Sequence, residues 1–415
     1  MVIKKDGTPR VVVDFRQLNE ASKGQAYTMK DVYELLETVA GHEYISLLDF
    51  LSGYHQIPMA EKSKELTSFG VPGPEGGQYH FKVMPFGLKG APATFQKFVD
   101  DVFRPYLGKF AVVYIDDLAV YSHSRNEHLD HLRAIFQAMR DNQIYAKRKK
   151  CYFMQNEIPY LGHLVSKDGI KMDPAKILTI QEWPKIVTIK QLRAFLGLMG
   201  YYRKFMAGYA QTAKPLTELL KNESMNEWGP KHEEARTKLI QTLTTAPLLQ
   251  SPDYAKPFVV TTDASNVALG AVLSQLNKPV AFLSKTFSGA ELNWTIYDKE
   301  LFAVIYALHK WEHYLHTKIP ITIITDNNAV TAIQKQPTLA PKQARWIQYL
   351  EEFNYEIVHR PGTENKVADA ISRRDIYGIT IVENQHWMER VRQLSKKITI
   401  RPWMTQKDGL LYKDN

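Results

Sequence analysis

The amino-acid sequence predicts a mixed α/β (α+β) fold built from more than one unit. Up to about residue 165, short apolar runs typical of buried strands alternate with helical patterns. Residues 170–245 are helical in pattern, and three prolines then fall within eleven residues. Beyond them the order strand, helix, strand returns. Because 415 residues exceed the usual size of one domain, we expect two to four domains.

The first part of the chain contains a hairpin pattern with two carboxylates at its turn. Strands are predicted at residues 11–15, 44–48, 110–115 and 118–121. The last two flank Asp116 and Asp117. Ser124 and Glu127 have the spacing of a capping box, which predicts a helix start. The helix continues at apolar residues Leu129, Leu132, Phe136 and Met139.

A helical region follows, and then a second α/β unit. One apolar stripe is formed by Ile189, Leu192, Leu196 and Met199, and Arg203 and Lys204 are expected to extend the same helix. The prolines at 247, 252 and 257 indicate a linker or domain boundary. The second unit has predicted strands at 258–262 and 319–325, with a helix marked by Leu301, Val304, Leu308 and Trp311.

Composition excludes several classes of protein. Hydrophobic residues at 44% and charged residues at 23% exclude a disordered chain or a collagen-like repeat. A single cysteine, Cys151, excludes an internal disulfide and a cysteine-rich zinc site. No apolar run approaches the ~18 residues that span a bilayer, and the start lacks a signal-peptide pattern. The formal charge of +9 suits a phosphate-rich partner but does not distinguish nucleic acid from an acidic protein.

Two sets of acidic residues lie where strand patterns end. The first is Asp49 with the pair Asp116 and Asp117. Adjacent carboxylates converge only at a turn or strand end. Carboxylates gathered in this way repel each other unless a cation neutralises them. Their hard oxygen ligands favour Mg²⁺ as that cation. Ordinary turn chemistry would also explain an Asp-Asp pair. The second set, each member of which could instead be a capping or turn residue, is Asp263, Glu300 at the opening of a helix, Asp326 and Asp369.

The histidines and a basic run have simpler interpretations. His309 and His313 are four residues apart on a predicted helix, but Glu312 is misplaced for a zinc-protease motif, so solvated histidines are expected. The same interpretation is given to His123, His128 and His131. The run 147–150 is either a phosphate-binding segment or a solvated helix end.

Several ordered blocks resemble the reverse transcriptase and linked ribonuclease H of gypsy-type LTR retrotransposons. The tetrapeptide Tyr-Ile-Asp-Asp is short, but many blocks in the same order make the resemblance specific. It covers nearly the whole chain. The blocks are residues 6–19, 53–57, 84–96, 114–117, 160–163, 195–205, 215–220, 262–265 and 367–373.

The resemblance implies a right-hand polymerase fold of fingers, palm and thumb followed by a ribonuclease H-like mixed α/β domain. The implied divisions are fingers and palm over 1–165, thumb and connection over 166–256, ribonuclease H over 257–373, and a tail over 374–415 that leads toward an integrase. The chain departs from the family in three ways. The front of the fingers is absent, 20–31 lack the usual proline-containing segment, and neither protease nor integrase is present, so a fragment of a longer polyprotein is expected.

The resemblance also implies roles in the polymerase. Asp49, Asp116 and Asp117 match the triad that holds two Mg²⁺ ions, with Mn²⁺ as a substitute, and the Phe50 carbonyl is expected beside them. Lys4 and Arg10 match residues that bind the deoxynucleoside triphosphate. Tyr54 follows Asp49 by five residues, as the family's steric gate does, although a core aromatic is the alternative. Phe86 and Gly87 match a loop that packs on the nucleotide and the template. Leu161 and Gly162 match a segment that positions the primer end.

In the second unit, the resemblance assigns two Mg²⁺ ions to Asp263, Glu300, Asp326 and Asp369. His359 lies ten residues before Asp369 and matches a mobile histidine that assists product release or proton transfer. The implied partners are an RNA template, a DNA primer and an RNA/DNA hybrid. A homodimer and other Pol products such as integrase are further expected partners.

The sequence therefore predicts an RNA-directed DNA polymerase joined to a ribonuclease H. Its expected location is cytoplasmic, in virus-like particles, or nuclear, and not secreted or membrane-bound. Two alternatives stay open at this point. One is a catalytically silent subunit or domesticated remnant that binds primer–template. The other is a chain in which the nuclease alone is active.

Overall fold

The computed structural model describes residues 2–3, 9–10, 12–24, 27–73, 76–222, 225–326, 339–360, 404–407 and 410–413. Within this part of the chain, no helix has the length and apolar character needed to cross a membrane. The described residues form three successive units, here named amino-terminal, helical and carboxy-terminal, and a short separate ladder near the end of the chain.

The amino-terminal unit combines a four-stranded antiparallel sheet with helices. Its helices are α1 (Arg16–Ala21), α2 (Val32–Val39), α3 (Glu61–Lys64), α4 (Ala91–Phe103) and α5 (Arg125–Asp141). Its strands are β1 (Val2–Ile3), β2 (Pro9–Arg10), β3 (Tyr44–Asp49), β4 (Phe69–Val71), β5 (Gly77–Tyr79), β6 (Ala111–Tyr114), β7 (Asp117–Ser122) and β8 (Tyr152–Gln155). The main sheet has the order β6-β7-β3-β8, and β1-β2 and β4-β5 are separate hairpins.

The main sheet is buried on both faces, which explains why β3 is a continuous apolar run. Ile45 and Leu47 face one core, shared with α2 and the helical unit. Leu48 faces the second core, against α4 and α5. Successive side chains on a strand point to opposite faces, so each layer is served by alternate residues. The predicted strand at 44–48 and the hairpin around Asp116 are confirmed.

The starts of α5 and α1 differ in how well local sequence predicts them. The capping box of α5 is confirmed, since Ser124 and Glu127 exchange bonds there. The strand predicted at 11–15 is wrong, because residues 12–15 have no regular structure and α1 begins at Arg16. Phe15 is instead buried, with its ring 6.2 Å from that of Phe81. The Phe15 side chain is therefore buried without any pairing of residues 12–15 to another strand.

The helical unit contains a small sheet and four helices. Its strands are β9 (Glu157–Tyr160), β10 (His163–Ser166) and β11 (Gly169–Met172), in the order β11-β10-β9. Its helices are α6 (Pro174–Gln181), α7 (Ile189–Tyr201), α8 (Tyr209–Asn222) and α9 (Pro230–Thr244). The small sheet crosses the division predicted between 165 and 166. Helix α7 ends at Tyr201, so Arg203 and Lys204 lie in a following 3₁₀ turn and do not extend it.

The carboxy-terminal unit is a five-stranded mixed sheet covered by helices. Its strands are β12 (Val259–Ala264), β13 (Ala268–Gln275), β14 (Lys278–Thr286), β15 (Ile321–Thr325) and β16 (Tyr355–His359), in the order β14-β13-β12-β15-β16. Strands β12, β15 and β16 are parallel. The helices are α10 (Ile296–Lys310), α11 (Glu312–Leu315) and α12 (Pro341–Leu350). The separate ladder pairs β17 (Met404–Lys407) with β18 (Leu410–Lys413).

The proline-rich linker is held firmly at both ends. Leu249 exchanges backbone hydrogen bonds with Ile170, and Gln250 N donates to the Pro279 carbonyl at 2.8 Å. The fully buried Gln275 donates to the carbonyls of Asp253 and Lys256. Paired backbone groups leave such a segment little freedom. The linker therefore sets how the carboxy-terminal unit packs on the rest.

A polar contact also joins this unit to α2. The Tyr314 hydroxyl donates to Glu37 Oε1 at 2.5 Å, and Lys204 Nζ lies 3.7 Å from the same oxygen. Burial raises the pKa of Glu37 above its ordinary value, and the Lys204 charge opposes this. The carboxylate depends on both partners because it is largely removed from water.

Replacing Tyr314 with phenylalanine should therefore destabilise the protein. We expect Tyr314→Phe to lower the free energy of unfolding by about 1–3 kcal/mol, since Glu37 loses a buried donor. Urea denaturation followed by circular dichroism measures this. The control is Tyr349→Phe, whose hydroxyl is 3.3 Å from the half-exposed Glu312 and should cost at most about 0.5 kcal/mol. Equal losses in the two variants would contradict the role of this contact.

Candidate active sites

The first carboxylate cluster is assembled by strand pairing. Asp49 ends β3 and is directly opposite Asp117, the first residue of β7. Asp116 lies in the turn of the β6–β7 hairpin, and its carbonyl accepts a bond from Phe50 N at 3.0 Å. The structure thus brings together the three acids that the sequence predicts. Asp49 and Asp117 share one face because directly paired residues point the same way.

Burial and mutual repulsion raise the affinity of this cluster for protons. The pKa of Asp117 is raised to about 6, first by burial and then by the charges of Asp49 and Asp116. Burial and the Asp49 charge also raise the pKa of Asp116. The Lys150 ammonium, 2.9 Å from Asp49 Oδ2, offsets part of the negative charge. One member of the basic run 147–150 therefore belongs to the site.

The chemistry of this cluster suits a divalent cation, although its three carboxylates lie farther apart than the ligand spacing found at the second cluster. Asp116 Oδ1 is buried and accepts no hydrogen bond from the part of the chain that the structure describes. It also lies so close to Gly53 that a Cβ at that position would collide with it. Carboxylate oxygens in this arrangement are the ligands that Mg²⁺ prefers, and a bound cation would relieve the repulsion that raises both pKa values.

Tyr54 and Phe86, both predicted for this site, pack against each other. The Tyr54 ring is 5.0 Å from that of Phe86 and 5.6 Å from that of Phe95. Burial and the Asp116 charge raise the Tyr54 pKa, and the preceding residue, Gly53, lies against Asp116 Oδ1. Gly87 has a φ of 97°, and its carbonyl accepts a bond from the Asn19 side chain.

Of the four remaining predicted residues, the structure describes three. Leu161 and Gly162 form the β9–β10 turn with φ of 47° and 77°, and their carbonyls accept bonds from the hydroxyls of Tyr201 and Tyr202. Arg10 lies in β2, paired with Val2. Lys4 lies outside the described residues.

Sequence reasoning missed a buried tether behind the two strands that carry the acids. His128, predicted to be solvated, is fully buried. Its Nε2 is 2.7 Å from the Ser46 hydroxyl on β3, and its Nδ1 is 2.8 Å from the Ser122 hydroxyl on β7. His131, also predicted to be solvated, stacks on Phe110 at 3.7 Å. The periodicity of α5 already placed position 128 next to a buried stripe, but the two serine partners are visible only in the fold.

The second cluster lies at the carboxyl ends of the neighbouring parallel strands β12 and β15 of the mixed sheet. Asp263 is in β12, Glu300 is in α10, and Asp326 directly follows β15. One carboxylate oxygen from each lies within 4.8 Å of the others. Thr295 caps α10, so Glu300 lies one turn inside the helix and does not open it. Asp369, the fourth predicted acid, is outside the described residues.

This cluster also fits a divalent cation. Asp263 and Glu300 are 5% and 4% exposed, so three acids close together at low exposure need positive charge. It is the one group of three acids, histidines or cysteines with metal-ligand spacing in the described ranges. His359 ends β16, and its Nε2 is 3.0 Å from the Asp326 carbonyl. Because a carbonyl only accepts, this nitrogen carries the proton.

His309 and His313 do not share a helix face that could hold zinc. Helix α10 ends at Lys310, so the two histidines lie on separate helices. His309 Nδ1 is 3.7 Å from Glu312, and the His313 ring packs on Tyr314 at 3.9 Å. The two side chains therefore serve separate local contacts.

The buried His128 should make stability depend on pH. Burial lowers its pKa from 6.5 to about 4. Between these values the unfolded chain binds a proton that the folded chain does not, so stability falls as pH falls, by at most about 3 kcal/mol from this residue. We expect His128→Gln to flatten the pH profile of unfolding between pH 6.5 and 4. The exposed control His309→Gln should keep the wild-type slope. Parallel profiles for both variants would rule out this role for His128.

Comparison with known proteins agrees with this architecture. Residues 2–165 match the family model for reverse transcriptase (RNA-dependent DNA polymerase), and 253–353 match the model for the RNase H-like domain found in reverse transcriptase. A solved structure of the foamy viral protease-reverse transcriptase dRH with ds DNA has a TM-score of 0.76 at 25% identity, over 86% of this chain and 64% of that chain. The predicted polymerase and ribonuclease H-like fold is confirmed.

Curated relatives are retrotransposon polyproteins. The Retrovirus-related Pol polyprotein from transposon 297 of Drosophila melanogaster is 40% identical over 378 residues, covering 91% of this chain and 35% of that protein. The corresponding polyprotein from transposon gypsy of the same species is 36% identical over 394 residues, covering 90% and 38%. The chain thus spans little more than a third of these relatives. The two family models together match more than half of the chain, and with these relatives they show that it belongs to the reverse transcriptase–ribonuclease H family of gypsy-type LTR retrotransposons.

Proposed function

We propose that this chain is an RNA-directed DNA polymerase with a linked ribonuclease H. The observation that carries the proposal is the presence of two separate carboxylate clusters, one in the amino-terminal unit and one in the carboxy-terminal unit. The substrates would be an RNA template, a DNA primer and deoxynucleoside triphosphates for the first site, and the RNA/DNA hybrid for the second. The foamy viral relative bound to ds DNA supports a nucleic-acid duplex as ligand.

We infer that each cluster holds two Mg²⁺ ions, for which Mn²⁺ can substitute. Asp49, Asp116 and Asp117, with the Phe50 carbonyl, would hold them in the polymerase. Asp263, Glu300, Asp326 and Asp369 would hold them in the nuclease. When bound, the ions supply Lewis-acid activation of the attacking oxygen and charge stabilisation of the leaving oxygen. The unpartnered, buried Asp116 Oδ1 in the first cluster and the metal-ligand spacing of the second cluster support this assignment.

The chain's own residues would then orient the substrates. Lys4 and Arg10 would bind the triphosphate, and Phe86 and Gly87 would contact nucleotide and template. Leu161 and Gly162 would position the primer end, since Tyr201 and Tyr202 hold their turn rigidly. His359 would transfer a proton or assist product release at the second site. Association with a second copy or an integrase, and location in virus-like particles or the nucleus, stay predictions.

Exchange of single ligands should separate the two activities. Asp116→Asn should lower Mg²⁺-dependent primer extension by about 10²-fold or more while RNA in a hybrid is still cleaved. Asp326→Asn should give the reverse, with DNA made on an RNA template and the labelled RNA strand left uncut. Gel assays of end-labelled primer and RNA measure both. A wild-type chain that is folded but inactive in both assays would refute the proposed function. One variant losing both activities while folded would refute the two-site arrangement.

Tyr54 should select the sugar of the incoming nucleotide. It directly follows Gly53, which lies against Asp116 Oδ1, and at this position its ring would collide with a 2′-hydroxyl. We expect Tyr54→Val to raise the use of ribonucleotides relative to deoxynucleotides by about tenfold or more, because space opens beneath the sugar. Single-nucleotide incorporation kinetics measure the ratio. The control Tyr152→Val, at an exposed tyrosine of edge strand β8, should leave the ratio unchanged. An unchanged ratio in Tyr54→Val would make Tyr54 a core residue only.

A further inference from the structure

The turn that carries Asp116 contains a strained residue. Ile115 has a φ of 51°, in the left-handed region. A β-branched side chain is unfavourable there, at a cost of order 1–3 kcal/mol, so surrounding contacts must impose the conformation. The neighbouring Asp116 carbonyl is held by Phe50 N, which constrains the turn from one side.

A buried side chain constrains the turn from the other side. Gln96, on α4, is 2% exposed, and its Oε1 accepts the Ile115 backbone N–H at 2.6 Å. Its Nε2 donates to Asp100 Oδ1 at 3.2 Å and more weakly to the Val113 carbonyl. Because a carboxylate accepts, Asp100 draws the NH₂ end of the amide toward itself and turns the oxygen toward Ile115.

Asp100 is in turn held from the amino-terminal segment. The Tyr27 hydroxyl donates to its Oδ2 at 2.5 Å, and Lys30 Nζ is 3.4 Å from its Oδ1. Asp100 is 9% exposed, so these contacts act away from bulk water, where hydrogen bonds are strong and costly to break. A continuous relay runs from Tyr27 and Lys30 through Asp100 and Gln96 to the turn that carries Asp116.

We propose that Gln96 is a positioning residue for the polymerase site, and that Asp100, Tyr27 and Lys30 set the orientation of its amide. The relay holds the strained turn at Ile115, and thereby the Asp116 carboxylate. The tight approach of Asp116 to Gly53 leaves that carboxylate little room to move. This inference rests on the proposed polymerase function, and it concerns the rate of the chemical step more than the affinity for the triphosphate.

Gln96→Met removes the amide and keeps the side-chain volume close to that of glutamine. We expect it to lower kcat for primer extension by about 10²-fold, since a small displacement of a reacting group has an effect of this size. The KM for the triphosphate should change far less, and hybrid cleavage in the same chain, as an internal measure of folding, should stay within about twofold. The matched control is Gln137→Met, which removes an exposed Gln–Asp pair of the same i,i+4 spacing on α5 and should leave extension unchanged.

A polarity swap tests the relay itself. Gln96→Glu keeps an acceptor for the Ile115 N–H but places a second carboxylate against that of Asp100. The two negative charges repel each other, so extension should fall. Adding Asp100→Asn supplies an amide donor to the introduced carboxylate and an acceptor to Tyr27, and should restore kcat to within about threefold to tenfold of wild type. If Gln96 supports the fold without its amide orientation mattering, the double variant should extend primers no better than Gln96→Glu alone.

Metal binding gives a readout that does not depend on polymerase activity. In an Asp326→Asn background, we expect Gln96→Met to weaken Mn²⁺ binding, measured by electron paramagnetic resonance, by about tenfold. If wild type extends no primer, the proposed function fails, and Mn²⁺ affinity still decides this inference. If wild type extends and Gln96→Met keeps kcat and Mn²⁺ affinity within about twofold, the inference is wrong and the proposed function stands.

Discussion

The amino-terminal unit depends on holding like charges together at the ends of paired strands. Asp49 and Asp117 are directly opposed across β3 and β7, and Asp116 is one residue away. Burial, and then the repulsion between these charges, raises the pKa of Asp117 to about 6. The sheet can bear the cost of gathering these charges because both of its faces are buried in apolar cores. The surrounding structure must hold the three carboxylates in place, because their mutual repulsion would otherwise move them apart.

The supporting contacts act on the same two strands from different directions. His128 joins them through Ser46 and Ser122, behind the site. Lys150 places a positive charge beside Asp49, and Gln96 fixes the turn before Asp116. None of these residues needs to touch a substrate. Each reduces the freedom of a carboxylate, which is how a protein keeps a cation site organised.

The two sites are chemically independent and mechanically joined. Each cluster uses acids from its own unit, so the ligands of one do not contribute to the other. The units nevertheless pack through the buried Gln275, the linker backbone and the Tyr314–Glu37 contact. These contacts therefore couple the position of one site to that of the other.

Local patterns in the sequence were enough to predict several strands and helices and to single out the acids of both clusters. Apolar alternation predicted β3 and the β6–β7 hairpin, and a capping box predicted the start of α5, because these signals depend on neighbours within a few residues. Ordered motifs pointed to both acid sets. The prediction at 11–15 was wrong because a strand needs a partner strand, which local pattern does not supply.

Contacts between residues far apart in the chain arise only when whole elements pack. His128 was predicted to be solvated, yet its partners Ser46 and Ser122 make it a buried tether. The run 147–150 had two interpretations until the fold placed Lys150 beside Asp49, 101 positions earlier. Gln96 lay within a recognised block, but its bond to Ile115 follows only from the packing of α4 on the hairpin. Burial and hydrogen-bond partnership are set by the packing of whole elements, so no local pattern can contain them.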